Sequence, residues 1–145
     1  MTDKTDSDDF LNNYTLFVMA MASTHVSEGF HRIAAEQGLS VPEWRVLACL
    51  YDRKSATVNE LARLSLMEQS RLTHLIGRMQ ARGLVDRRRS PQNRRQVLVW
   101  LSDEGLSLAT ELVAQARAHE QRQVIDRLGE RGTAQLHKLL WKLML

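Results

Sequence analysis

The spacing of apolar residues changes from a helical period to a strand period between Ser40 and Leu101, and this change restricts the fold more than any other feature. Three short stretches come first, each with apolar residues three and four positions apart, which is typical of amphipathic helices. Two β-type runs, LVDRRR and QVLVWL, follow and are joined by SPQNRR, which is typical of a hairpin. The segment therefore predicts three helices followed by a two-stranded hairpin.

Capping residues predict where these helices begin. Two residue pairs have the spacing of a capping box: Ser40 with Glu43, and Thr57 with Glu60. In a capping box the side chain of the first residue accepts a hydrogen bond from the backbone N–H of the second, and the side chain of the second accepts one from the backbone N–H of the first. Ser102 is placed to cap a further helix directly after the hairpin. The third helix, residues 68–82, has Met67 in front of it, and we expect Ser65 with Glu68 to cap it.

Longer helices are predicted on both sides of this segment. Residues 8–36 contain no proline and have apolar residues at helical spacing, with Asp8 and Asp9 at the start. About 29 helical residues would span roughly 43 Å, more than the width of the small domain beside them, so part of this helix should pack on another chain. After Ser102 a helix should run to about Leu128, break at GERG and give way to a final helix from Thr133.

The composition is that of a globular protein, with 43% apolar and 26% charged residues in 145. It contains no apolar stretch near the roughly 20 residues that cross a bilayer, and its acidic start is unlike a secretory signal. We therefore expect a cytoplasmic protein that does not enter the membrane. The single cysteine, Cys49, excludes an internal disulfide, the histidines show no metal-ligand spacing, and no catalytic or cofactor-binding motif is present. We expect neither an enzyme nor a bound metal or cofactor.

Positive charge is concentrated in the middle of the chain. Residues 57–101 contain nine arginines against three acidic residues, a net charge of +6, whereas the remainder has 11 basic and 14 acidic residues. Five of the arginines fall between Arg87 and Arg95, around the hairpin turn. Such a cluster is either screened by water or used to bind a polyanion. Helix 68–82 has a polar face opposite its apolar stripe, and this face also contains arginines. It comprises Ser70, Arg71, Thr73, His74, Gly77 and Arg78.

The segment from about Leu39 to Gly105 resembles the MarR family of bacterial transcription regulators. ELARLSLMEQSRLTHLIGRMQARGLVDR is similar to the family's helix-turn-helix, and SPQNRRQVLVWLSDEG is similar to its wing. Two positions depart from the wing pattern: Asn93 stands where an aspartate is usual, which removes an anion that could brace Arg95, and Ser102 replaces a threonine. The resemblance implies a mainly α (α+β) fold, a winged helix-turn-helix domain with flanking N- and C-terminal dimerisation helices. The boundaries are 1–37 for the first dimerisation helix, 38–101 for the DNA-binding domain and 102–145 for the last helices.

The resemblance also implies residue roles. Ser70, Thr73 and His74 match positions near base edges, Arg71 and Arg78 are expected at phosphates, and Arg94 and Arg95 form the wing tip. The implied function is that of a ligand-responsive regulator, a repressor that binds a palindromic promoter site in double-stranded DNA as a homodimer. The alternative is a winged-helix module that binds protein or RNA without specific DNA binding.

The family's effectors are small, anionic and often aromatic, and they bind between the dimerisation helices and the DNA-binding domain. Met21, His25 and Trp44 are candidates to line such a pocket, with His25 or Arg45 meeting a carboxylate; the alternative is that they are ordinary core and surface residues. One branch of the family senses peroxides through a cysteine in the first long helix. Cys49 lies instead among apolar residues of a predicted core helix, and we interpret it as structural.

Overall fold

The helices and the hairpin predicted between Ser40 and Leu101 are confirmed in the computed structural model, which describes residues 9–145. The mainly α fold with a small sheet is confirmed as well. The elements in chain order are α1 (Phe10–Asn13), α2 (Thr15–Glu36), α3 (Val41–Arg53), β1 (Ser55–Thr57), α4 (Val58–Ser65), α5 (Gln69–Ala81), β2 (Val85–Arg89), β3 (Val97–Leu101), α6 (Asp103–Glu120), a π-helical turn (Gln121–Ile125) and α7 (Asp126–Met144).

The single helix predicted for residues 8–36 is wrong, because the chain leaves the helix at Tyr14 and separates α1 from α2. Tyr14 has extended backbone angles, φ −85° and ψ 105°, and its ring stacks on Phe10 with centroids 4.9 Å apart. The sequence around it, Asn-Asn-Tyr-Thr, consists of weak helix formers. Asp9 caps α1 by accepting a hydrogen bond from the backbone N–H of Leu11; Asp8, the predicted first residue, lies outside the described residues.

The hairpin belongs to a three-stranded antiparallel sheet in the order β1-β3-β2. Arg89 pairs with Val97 next to the turn, and Ser55 of β1 pairs with Trp100 on the other side of β3. The sequence analysis did not predict β1, which has only three residues and follows Lys54 at a positive φ of 66°. This strand holds the start of α4 beside the hairpin.

The core lies under α5, where the predicted apolar stripe is confirmed. It consists of fully or almost fully buried side chains from α3, α4, α5, β3 and α6: Val46, Leu47, Leu50, Leu61, Leu72, Leu75, Ile76, Met79, Val99 and Leu112. The capping boxes that begin α3 and α4 are both present, and the Ser102 hydroxyl accepts a hydrogen bond from the backbone N–H of Gly105 at the start of α6. Completed caps and a contiguous core fix the relative positions of these elements.

The predicted cap of α5 is wrong. The Ser65 side chain is fully buried and its hydroxyl donates to the carbonyl of Leu61, one turn back in α4. Glu68 occupies the cap position, but its side chain makes no capping bond and accepts one from the Ser70 hydroxyl at 3.2 Å instead. The first turn of α5 consequently has no side-chain cap, and α5 is held in place by packing against elements such as α4.

The break predicted at GERG is confirmed at Gly129, whose non-helical backbone divides α7 into two helical parts, and the second part begins before the predicted Thr133. Gly129 has φ 73° and ψ 166°, and the Thr133 hydroxyl donates to its carbonyl at 2.8 Å. Within residues 9–145, α7 packs closely only against the π-helical turn before it. Large apolar side chains are therefore exposed at both ends of the chain, among them Phe10, Leu16, Met21, Leu136, Leu139, Trp141 and Leu143. A search of the described residues finds no helix of the length and apolarity that spanning a membrane requires.

Candidate nucleic-acid interface

The outer face of α5 carries the polar residues that the sequence predicted there. Ser70, Arg71, Thr73, His74 and Arg78 are all exposed, while the opposite face is buried in the core. The Thr73 hydroxyl donates to the carbonyl of Gln69 at 2.9 Å, so its oxygen remains available as an acceptor. The face combines hydroxyl, imidazole and guanidinium groups, which are suited to base edges and phosphates.

The hairpin with its turn, residues 85–101, forms the wing, and Asn93 organises its tip. The Asn93 side-chain oxygen accepts a hydrogen bond from the backbone N–H of Arg95 at 3.1 Å. Its carbonyl accepts from the N–H of Gln96 at 2.9 Å, and Arg89 donates to the carbonyl of Arg94 at 2.9 Å. An amide oxygen thus braces the loop as a carboxylate oxygen would, without adding negative charge.

Arg94 and Arg95 are exposed at the tip of the wing, and within residues 9–145 neither forms a salt bridge with an acidic side chain. The cluster does not fold back onto the acidic residues elsewhere in the described chain. Like charges held together in this way repel one another, and an anion that approaches the tip relieves the repulsion.

Arg87 is a residue of this surface that the sequence analysis did not single out. Its guanidinium lies 3.7 Å from the point that a Cβ atom on Gly77 would occupy, an ordinary van der Waals distance, so Arg87 of β2 lies directly beside α5. Between α5 and the wing lies a cleft of about 140 Å³ whose lining includes Asn59, Thr73, Arg87 and Arg95. Strand alternation was the available signal, because it puts Arg87 and Arg88 on opposite faces.

Arg88 occupies the other face of the wing. Its guanidinium lies over the ring of Trp100, 5.5 Å from the centroid, which is the geometry of a cation–π contact. Arg87 faces α5, whereas Arg88 is held against the sheet. The arginine run therefore has members with different local contacts.

The end of α5 is joined to the start of α6 by close backbone contact. Ser102 donates from its hydroxyl to the carbonyl of Gly83 at 2.5 Å and from its backbone N–H to the carbonyl of Leu84 at 3.1 Å. A Cβ atom on Gly105 would lie 1.9 Å from that Leu84 oxygen, which no side chain can accommodate. Glycine is required here because two backbones touch.

A cavity of about 520 Å³ lies between α2, α3, α6 and the π-helical turn. Of the four residues predicted to line an effector pocket, Trp44 is on its wall, and Met21, His25 and Arg45 are not. Residues of α2 that face the cavity include Val26 and Phe30. Successive residues lie about 100° apart around a helix, so Met21 and His25 fall on the opposite side of α2. Arg45 is likewise rotated away from its neighbour Trp44.

The ionisable groups that line the cavity were not predicted from the sequence: His31, Asp52, Arg117, His119 and Glu120. The Nε2 of His119 is 2.7 Å from the carbonyl oxygen of Val26; since a carbonyl only accepts, Nε2 carries the proton, and Nδ1 is the acceptor in the neutral ring. Burial lowers the pKa of His31, and interactions with Arg45 and His119 lower it further. His31 is therefore uncharged at neutral pH, and Arg117 is the permanent cation of the wall.

Cys49 lies on α3 and is half-buried against the core. Burial raises the pKa of its thiol, Asp52 raises it too, and Arg53 opposes them only in part. Little thiolate is then present at neutral pH. Among residues 9–145, no group of three histidine, cysteine or acidic side chains is arranged to hold a metal ion.

Comparison with known proteins gives one family. The sequence profile described as "MarR family" matches residues 39–97. The crystal structure of a MarR family transcriptional regulator from Silicibacter pomeroyi DSS-3 is 44% identical, covers 94% of this chain and 97% of that chain, and superposes with a TM-score of 0.84. The organic hydroperoxide resistance transcriptional regulator of Bacillus subtilis is 24% identical over 103 residues, which are 71% of this chain and 70% of the relative.

A structure of NadR in complex with 4-hydroxyphenylacetate shares the fold, with a TM-score of 0.77 at 22% identity, and covers 99% of this chain and 97% of that one. For the first three curated relatives, the alignment spans from 53% to 70% of their own length.

Proposed function

This chain belongs to the MarR family of DNA-binding transcriptional regulators, and we propose that it represses transcription as a homodimer on a near-palindromic promoter site, under the control of a small aromatic or anionic effector. The observation that carries the proposal is the juxtaposition of a polar α5 face with an arginine wing that lacks acidic partners among the described residues. A bound dimer would obstruct the promoter for the polymerase, which is the simplest route to repression.

We assign α5 to the major groove, which is about 12 Å wide and admits one helix. Ser70, Thr73 and His74 would then face base edges, and Arg71 and Arg78 would contact phosphates. The wing would reach the adjacent minor groove or backbone with Arg94 and Arg95. Arg87 joins this set, because it lies in the cleft between helix and wing.

The dimer proposal rests on the apolar side chains exposed at both ends of the chain. Leu16 is 61% exposed, Trp141 62% and Leu143 68%, and large apolar side chains exposed in such numbers are typical of interfaces. Residues 1–37 and 102–145 would form the dimer, leaving 38–101 as the DNA-binding unit. Two α5 helices related by a two-fold axis would address half-sites roughly 34 Å apart.

Effector control is proposed for the cavity between α2, α3 and α6. Its walls are largely apolar, with Phe30 and Trp44 in edge-to-face contact at 4.8 Å. They also contain Arg117, a cation for a carboxylate, together with the carboxylates of Asp52 and Glu120. A ligand that binds one arrangement of dimerisation helices and DNA-binding unit better than another shifts the population toward it. The NadR ligand, 4-hydroxyphenylacetate, is a suitable first probe; binding would raise the melting temperature of the protein.

The decisive experiment is selection of duplexes from a random-sequence pool, followed by titration of the selected duplex and a random duplex at several salt concentrations. We expect a preferred near-palindrome and a steep loss of affinity with salt, since phosphate contacts release counterions. Arg94→Ala with Arg95→Ala should weaken binding to both duplexes. Ser70→Ala or His74→Ala should change the preference between them.

The matched control for the wing is Arg32→Ala with Arg122→Ala, which removes the same charge from exposed positions outside the DNA-binding unit. Because both residues lie in the segments proposed to form the dimer, the oligomeric state of this control is measured alongside. We expect the control to leave most of the affinity. A flat salt dependence, or equal losses from the wing variant and the control, would contradict the proposed interface.

A further inference from the structure

One arginine joins three elements at the end of α5. Arg82, the residue that follows α5, donates from Nη1 to Glu43 Oε1 at 3.2 Å and from Nη2 to the carbonyl of Gly38 at 3.1 Å. The other Glu43 oxygen accepts the backbone N–H of Ser40 at 2.8 Å. We call these four residues the Glu43 clamp. It connects the end of α2, the start of α3 and the end of α5.

The clamp does more than cap a helix, as the second capping box shows. Glu60 of α4 bonds the backbone N–H of Thr57 at 3.0 Å and accepts no guanidinium among the described residues. Its box is exposed, whereas Glu43 is 8% exposed. A buried carboxylate is retained only with partners for both oxygens. The Arg82 bond is therefore an additional linkage, built on a box that would be complete without it.

The position of the clamp gives it a geometrical consequence. The N-terminal end of α5 has no side-chain cap and follows the exposed Leu66. The C-terminal end is tied to α2 and α3 by Arg82 and to α6 by Ser102 and Gly105. Any rotation of α2 against the DNA-binding unit is thus passed to α5 at one end only, the end where the clamp lies.

We propose that Arg82 is a positioning residue for DNA recognition: by bridging Glu43 and Gly38 it fixes the angle between α5 and α2, and hence the spacing of the two α5 helices in the dimer, without contacting DNA itself. The inference rests on the proposed function, since it concerns how a dimeric DNA reader is aligned. Specific binding needs both helices in register with their half-sites, whereas non-specific binding to phosphates does not.

Glu43→Gln distinguishes a positioning role from a purely electrostatic one, because the two explanations predict opposite changes in the affinity for the selected duplex. Removing a negative charge should raise the affinity of a basic protein for any DNA. Removing the clamp should lower the affinity for the selected duplex instead, since glutamine offers one acceptor oxygen to two donors. We expect a loss of about tenfold on the selected duplex and little change on the random one.

The experiment uses the full chain and measures the affinity for the selected and random duplexes at several salt concentrations, with melting temperatures alongside. Arg82→Ala should also lose about tenfold in preference and keep the salt slope, Arg82→Lys should recover part of it, and the double variant with Glu43→Gln should be no worse than either single variant. Glu60→Gln, the matched change in the unclamped box, should leave the preference unchanged.

Three outcomes would overturn the inference while leaving the proposed function intact. A salt slope reduced by about one for Arg82→Ala, with equal losses on both duplexes, would make Arg82 a phosphate contact. Tighter binding of both duplexes by Glu43→Gln would mean that Glu43 affects DNA binding only through its repulsion of the phosphates. A lower melting temperature with unchanged preference would make the clamp purely structural. If the wild-type protein selects no sequence at all, the proposed function fails first, and the clamp has no recognition to position.

Discussion

The body of the molecule, residues 38–105, contains the proposed DNA-binding unit, and two arms, residues 10–36 and 126–144, flank it. Body and arms have the same kind of apolar helical spacing but bury their apolar side chains to different extents. In the body, Leu47, Leu61 and Leu72 are completely buried within the chain. In the arms, Leu139 is 55% exposed and Trp141 62%. Periodicity therefore predicts a helix equally well in both regions, and it does not reveal whether the apolar face meets its own chain or another.

Capping does not follow this division completely. In the body, α3 and α4 begin with complete capping boxes, but α5 begins without a side-chain cap. In the arms, Asp9 caps the short α1, whereas α2 and α7 begin without a side-chain cap. A helix that is neither capped nor packed is marginal in water. The C-terminal half of α2 packs on the body, where Phe30 and Ala34 are buried. The N-terminal half of α2 and the end of α7 have exposed apolar faces, which a second copy would cover in the proposed dimer.

The largest loss of stability is expected for a substitution in the body at Gly105, where the backbone contact leaves no space for a side chain. In Gly105→Ala the new methyl group would overlap the Leu84 carbonyl oxygen, 1.9 Å away, and neither backbone can move without breaking the junction of α5 and α6. We expect a loss of about 3 kcal/mol or more in the free energy of unfolding, measured by chemical denaturation. Gly77→Ala is the control, because its methyl group meets Arg87 at an ordinary 3.7 Å; a similar loss in both would contradict the backbone-contact explanation.

Substitutions in the arms should prevent dimerisation and leave the folding of the body unchanged. Leu139→Glu with Leu143→Glu places charge on the exposed apolar face of α7, which a dimer would have to bury without a partner. We expect monomers by analytical ultracentrifugation, an unchanged circular dichroism signature of the body, and specific DNA affinity lower by about 100-fold, because bivalent binding is lost.

Leu66→Glu tests whether that result is specific to the arms. Leu66 belongs to the body and is 78% exposed, so the substitution places one glutamate at an exposed leucine outside the proposed interface. The dimer should persist. A dimeric α7 variant, or a monomeric Leu66 variant, would contradict the conclusion that the arms form the dimer and the body does not.

The body was predictable because its decisive signals are local. Capping boxes, the α5 stripe and the hairpin each depend on residues within a few positions of one another, and the exposed positions of Ser70 and His74 followed from the stripe. The misplaced or missed features depend on distant partners. The three residues of β1 need β3 to form a strand, and Ser65 bonds its own helix instead of capping the next.

The cavity shows the same limitation at the proposed effector site. Trp44 was predicted from the family resemblance, whereas His119 reaches the cavity only because α6 packs against α2 across 93 positions of sequence. Gly29 permits that approach, since a Cβ atom there would lie 3.0 Å from the His119 ring. A contact between distant segments leaves no local pattern, so His25 was chosen in place of His119.

A smaller effect is expected at the kink of the C-terminal arm. Gly129 combines φ 73° with ψ 166°, a region that is almost restricted to glycine, and Gly129→Ala should cost about 1–3 kcal/mol. Nothing lies within 4 Å of the added methyl group, so the cost is one of backbone conformation. Because the kink directs α7, we expect weaker dimerisation by ultracentrifugation with unchanged stability of the body. Loss of body stability would mean that the arm is part of the same cooperative unit.

The smallest effect is expected at Cys49, which the body holds half-buried with a raised thiol pKa. A higher pKa means less thiolate at neutral pH, so alkylation of the native protein should be slow and should accelerate only as the pH approaches that raised value. Cys49→Ala should change DNA affinity less than about twofold, with or without added organic hydroperoxide, although a regulator of hydroperoxide resistance is among the relatives. Denatured protein provides the rate of a free thiol for comparison. Rapid native alkylation, or a peroxide response abolished by Cys49→Ala, would turn this structural residue of the body into a sensor.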